Sequence, residues 1–155
     1  MKLKLIQVGK TKDAWLMEGI AEYQKRLKPF VRLSLCELPD YSVKSAGDRE
    51  VVKQQEATGI LKQVGDDDYL ILLDENGAEK TSLEFSDFLV SISNRKQVVF
   101  VIGGVYGVHR SVFERADTQL ALSRFTFTHR MARLILMEQL YRAMMINANR
   151  NYHIL

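Results

Sequence analysis

Gly103, Gly104 and Gly107 follow directly on five apolar, mostly β-branched residues, 98–102. A backbone without side chains there can approach a small molecule closely and can adopt positive φ. The apolar run reads as a strand buried on both faces. In open α/β sheets, ligands bind beyond the carboxyl ends of such strands, so the loop points to an enzyme or a nucleotide-binding module. As a bare structural feature it is a tight strand-to-helix turn. The dinucleotide fingerprint G-x-G-x-x-G is absent because the second glycine adjoins the first, and no Gly-Lys-Ser/Thr forms a P-loop. A ligand with an adenosyl group and no phosphates suits the loop better.

Side-chain chemistry is sparser. His109 follows the glycine loop, His129 opens the last helical segment and His153 lies in the closing Asn-Tyr-His-Ile-Leu. Their separations match no metal-binding motif, and no G-x-S-x-G elbow supports a hydrolase triad. Glu138 sits in an otherwise apolar segment, where a lone carboxylate is costly. Arg142, four residues on, is in the favourable order for a helical ion pair.

The elements that must position these groups alternate between strand and helix. Leu3, Leu5, Ile6 and Val8 mark a first strand, and Leu16, Ile20, Tyr23 and Leu27 a helix closed by Pro29. Residues 31–38 read as a second strand, 40–47 as a polar, turn-rich mobile loop, and Ala57, Ile60, Leu61 and Val64 as a helix ending at Gly65. Residues 69–73 form a third strand followed by a turn, Asp74-Glu75-Asn76-Gly77. Thr81-x-x-Glu84 resembles a capping box ahead of Phe85, Phe88, Leu89 and Ile92. After the glycine loop come a short helix over 111–116, a last short strand with Leu120 and Leu122, and a helix over 131–146. This order implies an α/β fold: a mostly parallel five-stranded sheet with helices on both faces.

The last helix is apolar nearly all round, more than one core-facing stripe requires, which predicts a two-fold dimer interface. At 155 residues the chain fits a single domain, 1–155, with 46% apolar and 26% charged residues, the balance of a soluble globular protein. The formal charge of +3 leans towards an anionic partner. Arg124, Arg130, Arg133, Arg142 and Arg150 crowd the last third, either for phosphates or as a solvated basic face. One cysteine, Cys36, excludes an intrachain disulfide. No signal-peptide block or membrane-length apolar run occurs, so the expected location is cytoplasmic, with no membrane partner.

Several of these segments together resemble the SPOUT class of RNA methyltransferases: the strand with Gly103-Gly104-x-x-Gly107, residues 120–127, His129, and Arg133 through Tyr141-Arg142-Ala143. The opening Lys-Leu-x-Leu-Ile-x-Val-Gly-Lys, Glu22-Tyr23-x-Lys-Arg-Leu and Tyr152-His153 are similar to its smallest branch, the ribosomal large-subunit pseudouridine N3-methyltransferases, over nearly the whole chain. The resemblance implies a C-terminal trefoil knot, a homodimer, S-adenosylmethionine as methyl donor and no metal. It implies as acceptor a pseudouridine in helix 69 of the large-subunit (23S) rRNA, methylated on the assembled ribosome. The implied donor pocket comprises Leu73, Gly103, Gly104, Gly107, Leu122, Ser123, Arg124, Phe125, Thr126 and Phe127.

For catalysis the resemblance leaves His153 or His129 as base, Arg142 to stabilise the imide anion of the acceptor and Tyr152 as a stacking face. Thr128 stands where the family often has proline, which predicts a looser start to the last helix. Val105-Tyr106 is bulky for a glycine loop, with Tyr106 placed to cover the donor or touch RNA. Another RNA such as tRNA as substrate, and a non-catalytic nucleotide- or RNA-binding module, are the alternatives.

Overall fold

A computed structural model of the chain describes residues 1–154. Five strands, β1 (Lys2–Val8), β2 (Arg32–Leu38), β3 (Tyr69–Glu79), β4 (Val98–Ile102) and β5 (Thr118–Ala121), form one sheet in the order β2-β1-β4-β3-β5. Every pairing is parallel. The helices are α1 (Ala14–Leu27), α2 (Val43–Ala46), α3 (Arg49–Lys62), α4 (Ser82–Ser91), α5 (Arg110–Arg115) and α6 (His129–Asn147).

The alternation of β4 explains the layering. Val98, Phe100 and Ile102 pack into the cluster holding α1, α4 and α6, while Val99 and Val101 face α3 and α5. Both faces are therefore covered, which is why the run carries no polar residue. On α6 the stripe Leu136, Met137, Leu140, Ala143 and Met144 is buried against α1 and α4, Arg133 and Met145 are buried as well, and most of the other residues are half-exposed.

Three sequence expectations are corrected. The turn at residues 74–77 is a bulge inside β3, whose register against β5 shifts between Leu73 and Ala78. Its turn chemistry is real, since Asp74 Oδ1 accepts from Asn76 N at 2.9 Å. The strand nonetheless resumes, because Gly77 lies flat against the backbone of β5. A Cβ at Gly77 would stand 2.7 Å from Gln119 C and Leu120 N. Gly77→Ala is therefore expected to cost about 2 kcal/mol, as overpacking does. In a melting experiment that is a fall of roughly 4–8 °C.

Secondly, the polar loop after β2 holds α2, and α3 begins at Arg49, eight residues before the first apolar marker Ala57. Asp48 starts it by accepting from Val51 N at 2.9 Å. Thirdly, Thr128 does not loosen α6. It has φ −60°, the value proline would impose, and its hydroxyl accepts from Met131 N at 3.2 Å as an N-cap. Leu122 falls just beyond β5, in the segment that crosses from the sheet edge to α6.

Candidate active site

A cavity of about 750 Å³ opens at the carboxyl ends of the strands, within the usual range for small-molecule sites. Because β1 lies beside β4, the start of α1 (Asp13, Trp15, Leu16) meets the glycine loop; because β3 lies between β4 and β5, Leu73, Asp74 and Glu75 meet Leu122 and Ser123. The first turn of α6 closes the wall with His129 and Arg130. Of the residues expected at a donor pocket, Leu73, Gly103, Gly104, Gly107, Leu122, Ser123, Phe125, Thr126 and Phe127 line this one cavity. Arg124 does not; its side chain projects into solvent, 3.6 Å from Glu79. Tyr106 also turns away, with the Arg49 guanidinium 5.0 Å over its ring.

The glycines serve the loop more than the ligand. Gly107 has φ +84° and its N–H donates to Gly104 O at 3.1 Å, closing a tight turn. A Cβ on Gly103 would stand 2.5 Å from Val108 Cγ1, inside the loop rather than in the cavity. Its lack of a side chain is thus a packing requirement, not a clearance for the ligand.

The walls fit an adenosyl ligand without phosphates. Backbone and the apolar Leu73, Ile102 and Leu122 supply an apolar slot. Arg130, with its guanidinium 3.8 Å from Asp13, keeps a buried Nε donor with no partner among the described residues. Such a donor is costly to leave unmet.

The residues expected to do chemistry are split between the two ends of α6. His129 lies in the cavity wall, and burial, then the charges of Arg133 and Arg130, push its pKa below the usual imidazole range. Arg142 sits thirteen residues along, about 20 Å at a helical rise. There its Nε donates to Glu138 Oε1 at 3.1 Å and its Nη1 to His153 Nδ1 at 3.2 Å. The expected ion pair is present, and Glu138 raises the Arg142 pKa further.

Tyr152 joins this cluster, donating to Glu138 Oε1 at 3.1 Å. Burial first, then its bond to Tyr23 and the Glu138 charge, hold its phenol well above the ordinary tyrosine range, so it stays protonated. Its ring is already engaged, with the Arg142 guanidinium 4.9 Å from its centroid and Tyr141 edge-on at 4.9 Å. The free stacking face expected of Tyr152 is therefore partly taken within the chain. His109 caps α5, its Nδ1 accepting from Ser111 N at 3.2 Å.

Two residues escaped the sequence reading. Arg133, counted there with the basic tail, is 0% exposed. It donates to Val8 O at 2.7 Å, Gly9 O at 2.9 Å and Thr11 Oγ1 at 2.7 Å, tying the loop after β1 to α6. Glu56 is buried behind Gly104. Nothing in the sequence marks either one, since both need the strand order before their neighbours are known.

Among the described residues no group of three or more His, Cys, Asp or Glu is placed to hold a metal, and no helix is long and apolar enough to cross a membrane. The chain matches a family described as "Predicted SPOUT methyltransferase" over residues 1–153. It is 42% identical to the ribosomal RNA large subunit methyltransferase H of Desulfitobacterium hafniense (strain DSM 10664 / DCB-2) over 158 residues, 99% of each chain. The proteins of the same name from Cytophaga hutchinsonii and Streptococcus uberis are 43% and 39% identical to it, again over 99% of each chain. A parallel α/β sheet with its cavity at the glycine loop, matched from end to end, places this chain in the SPOUT methyltransferase family, whose fold carries a C-terminal trefoil knot.

Proposed function

We propose that this protein methylates N3 of a pseudouridine in helix 69 of large-subunit rRNA, on assembled ribosomes in the cytoplasm, working as a homodimer without a metal. The observation that carries the reading is the backbone-walled cavity at the glycine loop in a chain of this family. The substrate class follows from the names of relatives that match over their whole length. S-adenosylmethionine would be held by Leu73, the glycine loop and residues 122–127 and would supply an electrophilic methyl group, its methyl–sulfur bond breaking to leave S-adenosylhomocysteine.

The chain's own residues then have to handle one proton and one negative charge. As the N3–methyl bond forms, the imide proton leaves. His129 can accept it because its depressed pKa keeps the ring neutral near pH 7. His153 suits that role less well: its Nδ1 lone pair already accepts from Arg142, so a neutral ring carries its proton on Nε2 and offers a donor. Arg142 and His153 therefore stabilise the imide anion.

The roughly 20 Å between the ends of α6 supports a two-copy site, in which the tail of one copy reaches the cavity of the other. The cavity rim is suited to be covered, with Trp15 58% and Phe125 79% exposed. Radiolabelled donor, incubated with the protein and ribosomes from a strain lacking the activity, should label one helix 69 nucleotide. Label on tRNA alone would replace the substrate, and donor binding without transfer would leave a binding module. Sedimentation at micromolar concentration should give about twice the 17.8 kDa chain mass, and a fully active monomer would remove the shared site.

A further inference from the structure

Glu56 is 6% exposed on α3, and its Oε1 has no hydrogen-bond partner among the described residues. A carboxyl oxygen left without a partner in the interior is expensive, so the neighbours of Glu56 carry information. One neighbour is the glycine loop. A Cβ on Gly104 would stand 2.7 Å from Glu56 Oε1 and 3.0 Å from Oε2, so the carboxyl fills the place of the missing side chain. Gly104 also lines the cavity, which Glu56 does not. On its second flank Glu56 meets the segment after β2, where the Tyr41 backbone N–H and the Asp40 carboxylate act on it. Asp40 in turn lies against Gly9, its Oδ2 3.4 Å from where a Cβ would be. The loop leaving β4 and the segment leaving β2 thus meet at this carboxyl, and Asp40 links the second of them to the loop leaving β1.

We propose that Glu56 is a positioning residue for the methyl-donor cavity, its neutral carboxyl backing Gly104 so that the Gly103–Gly107 loop is held in its binding shape. This rests on the reading of the cavity as the donor site. Ionisation undoes the contact, because a carboxylate with an unpartnered oxygen has to draw in water, and Gly104 is the neighbour with no side chain to resist. The switch falls in the physiological range, since burial pushes the Glu56 carboxyl up to about 7. Asp40 adds to the rise and the Tyr41 amide opposes it. The neighbouring charges of α3 are engaged elsewhere, Glu50 with Lys53 at 3.4 Å and His109 at 3.5 Å, and Arg49 over Tyr106.

Calorimetric titration with S-adenosylhomocysteine tests this at about pH 6 and about pH 8. If only the neutral form binds well, the wild-type affinity falls roughly tenfold between them. Glu56→Gln keeps the shape without the ionisation, and should bind at both pH values as the wild type does at the lower. Glu56→Ala should bind at least about tenfold more weakly at both. Gly104→Ala, whose Cβ collides with the carboxyl, should weaken binding similarly and decides the matter if Glu56→Ala does not fold.

A wild-type affinity that is flat with pH overturns the proposal, as does unchanged binding by Glu56→Ala or by Gly104→Ala. A merely structural Glu56 moves stability alone. With its folded pKa at about 7, above the 4.5 of a free carboxyl, the native state holds the proton more tightly and stability declines as pH rises between those values. That decline with a flat affinity counts against the positioning role. Absence of wild-type binding at either pH refutes the donor cavity itself, a result distinct from all of these.

Discussion

Arg142→Ala will bind S-adenosylhomocysteine with wild-type affinity and methylate ribosomes about 10²–10³-fold more slowly, the usual loss when an anion-stabilising donor is removed. Donor binding survives because Arg142 lies about 20 Å along α6 from the cavity of its own chain, and it is not among the residues lining that cavity. The rate falls because the guanidinium is held ready: Glu138 fixes it from one side, His153 accepts from it, and the Tyr152 ring lies under it. Arg142→Lys keeps a charge and loses the fork, so it should recover only part of the rate.

The opposing view, that Arg142 merely pairs with Glu138, predicts a lower melting temperature and full turnover per folded molecule. Glu138 would keep Gln139 and Tyr152 as donors after the substitution, which limits that stability loss. The pH profile adds a separate reading. With His129 as base and its pKa depressed, turnover should rise with pH below the ordinary imidazole range and level off before neutrality. His129→Ala should remove that limb, whereas His153→Ala should lower the plateau and leave the limb in place.

The legible parts of this protein are those whose signal is local. Five apolar residues running into glycines announce β4 and the loop after it, and Thr81 and Glu84 cap α4 reciprocally as their spacing predicts. The glycine loop of the cavity was legible because ligand sites in parallel sheets follow the strand ends, whereas Leu73 and residues 122–127 came from the family resemblance. What was hidden depends on strand order. Asp13 and Trp15 join the cavity only because β1 lies beside β4, a pairing between segments far apart in sequence. The bulge in β3 was hidden for a related reason. Asn76-Gly77 reads locally as a turn, and only the backbone of β5 pressed against Gly77 turns it back into strand. A buried cation is harder still, since charge in a basic tail normally signals a solvated face.

Arg133 is the case with the largest consequence for stability. Arg133→Ala should cost about 3–5 kcal/mol, the range for removing a large buried side chain. It leaves a cavity beneath α6, and it strands the carbonyls of Val8 and Gly9, each of which accepts from Nη2. In a chain whose total stability is expected to be about 5–15 kcal/mol, such a loss is easily read in urea. The midpoint should fall while the slope stays constant. Arg133→Met fills most of the volume and leaves the carbonyls unmet, so its loss should be smaller. Arg133→Lys supplies one ammonium to a place where two guanidinium nitrogens reach three acceptors, and should fall short of wild type.

Donor affinity should weaken in all three variants, because the loop that Arg133 anchors leads into Asp13 and Trp15 at the cavity wall. If Arg133→Ala instead melts like the wild type and loses only its grip on ribosomes, Arg133 belongs on an RNA-facing surface. Its three bonds to the end of β1 and the loop after it would then not be what holds α6 in place.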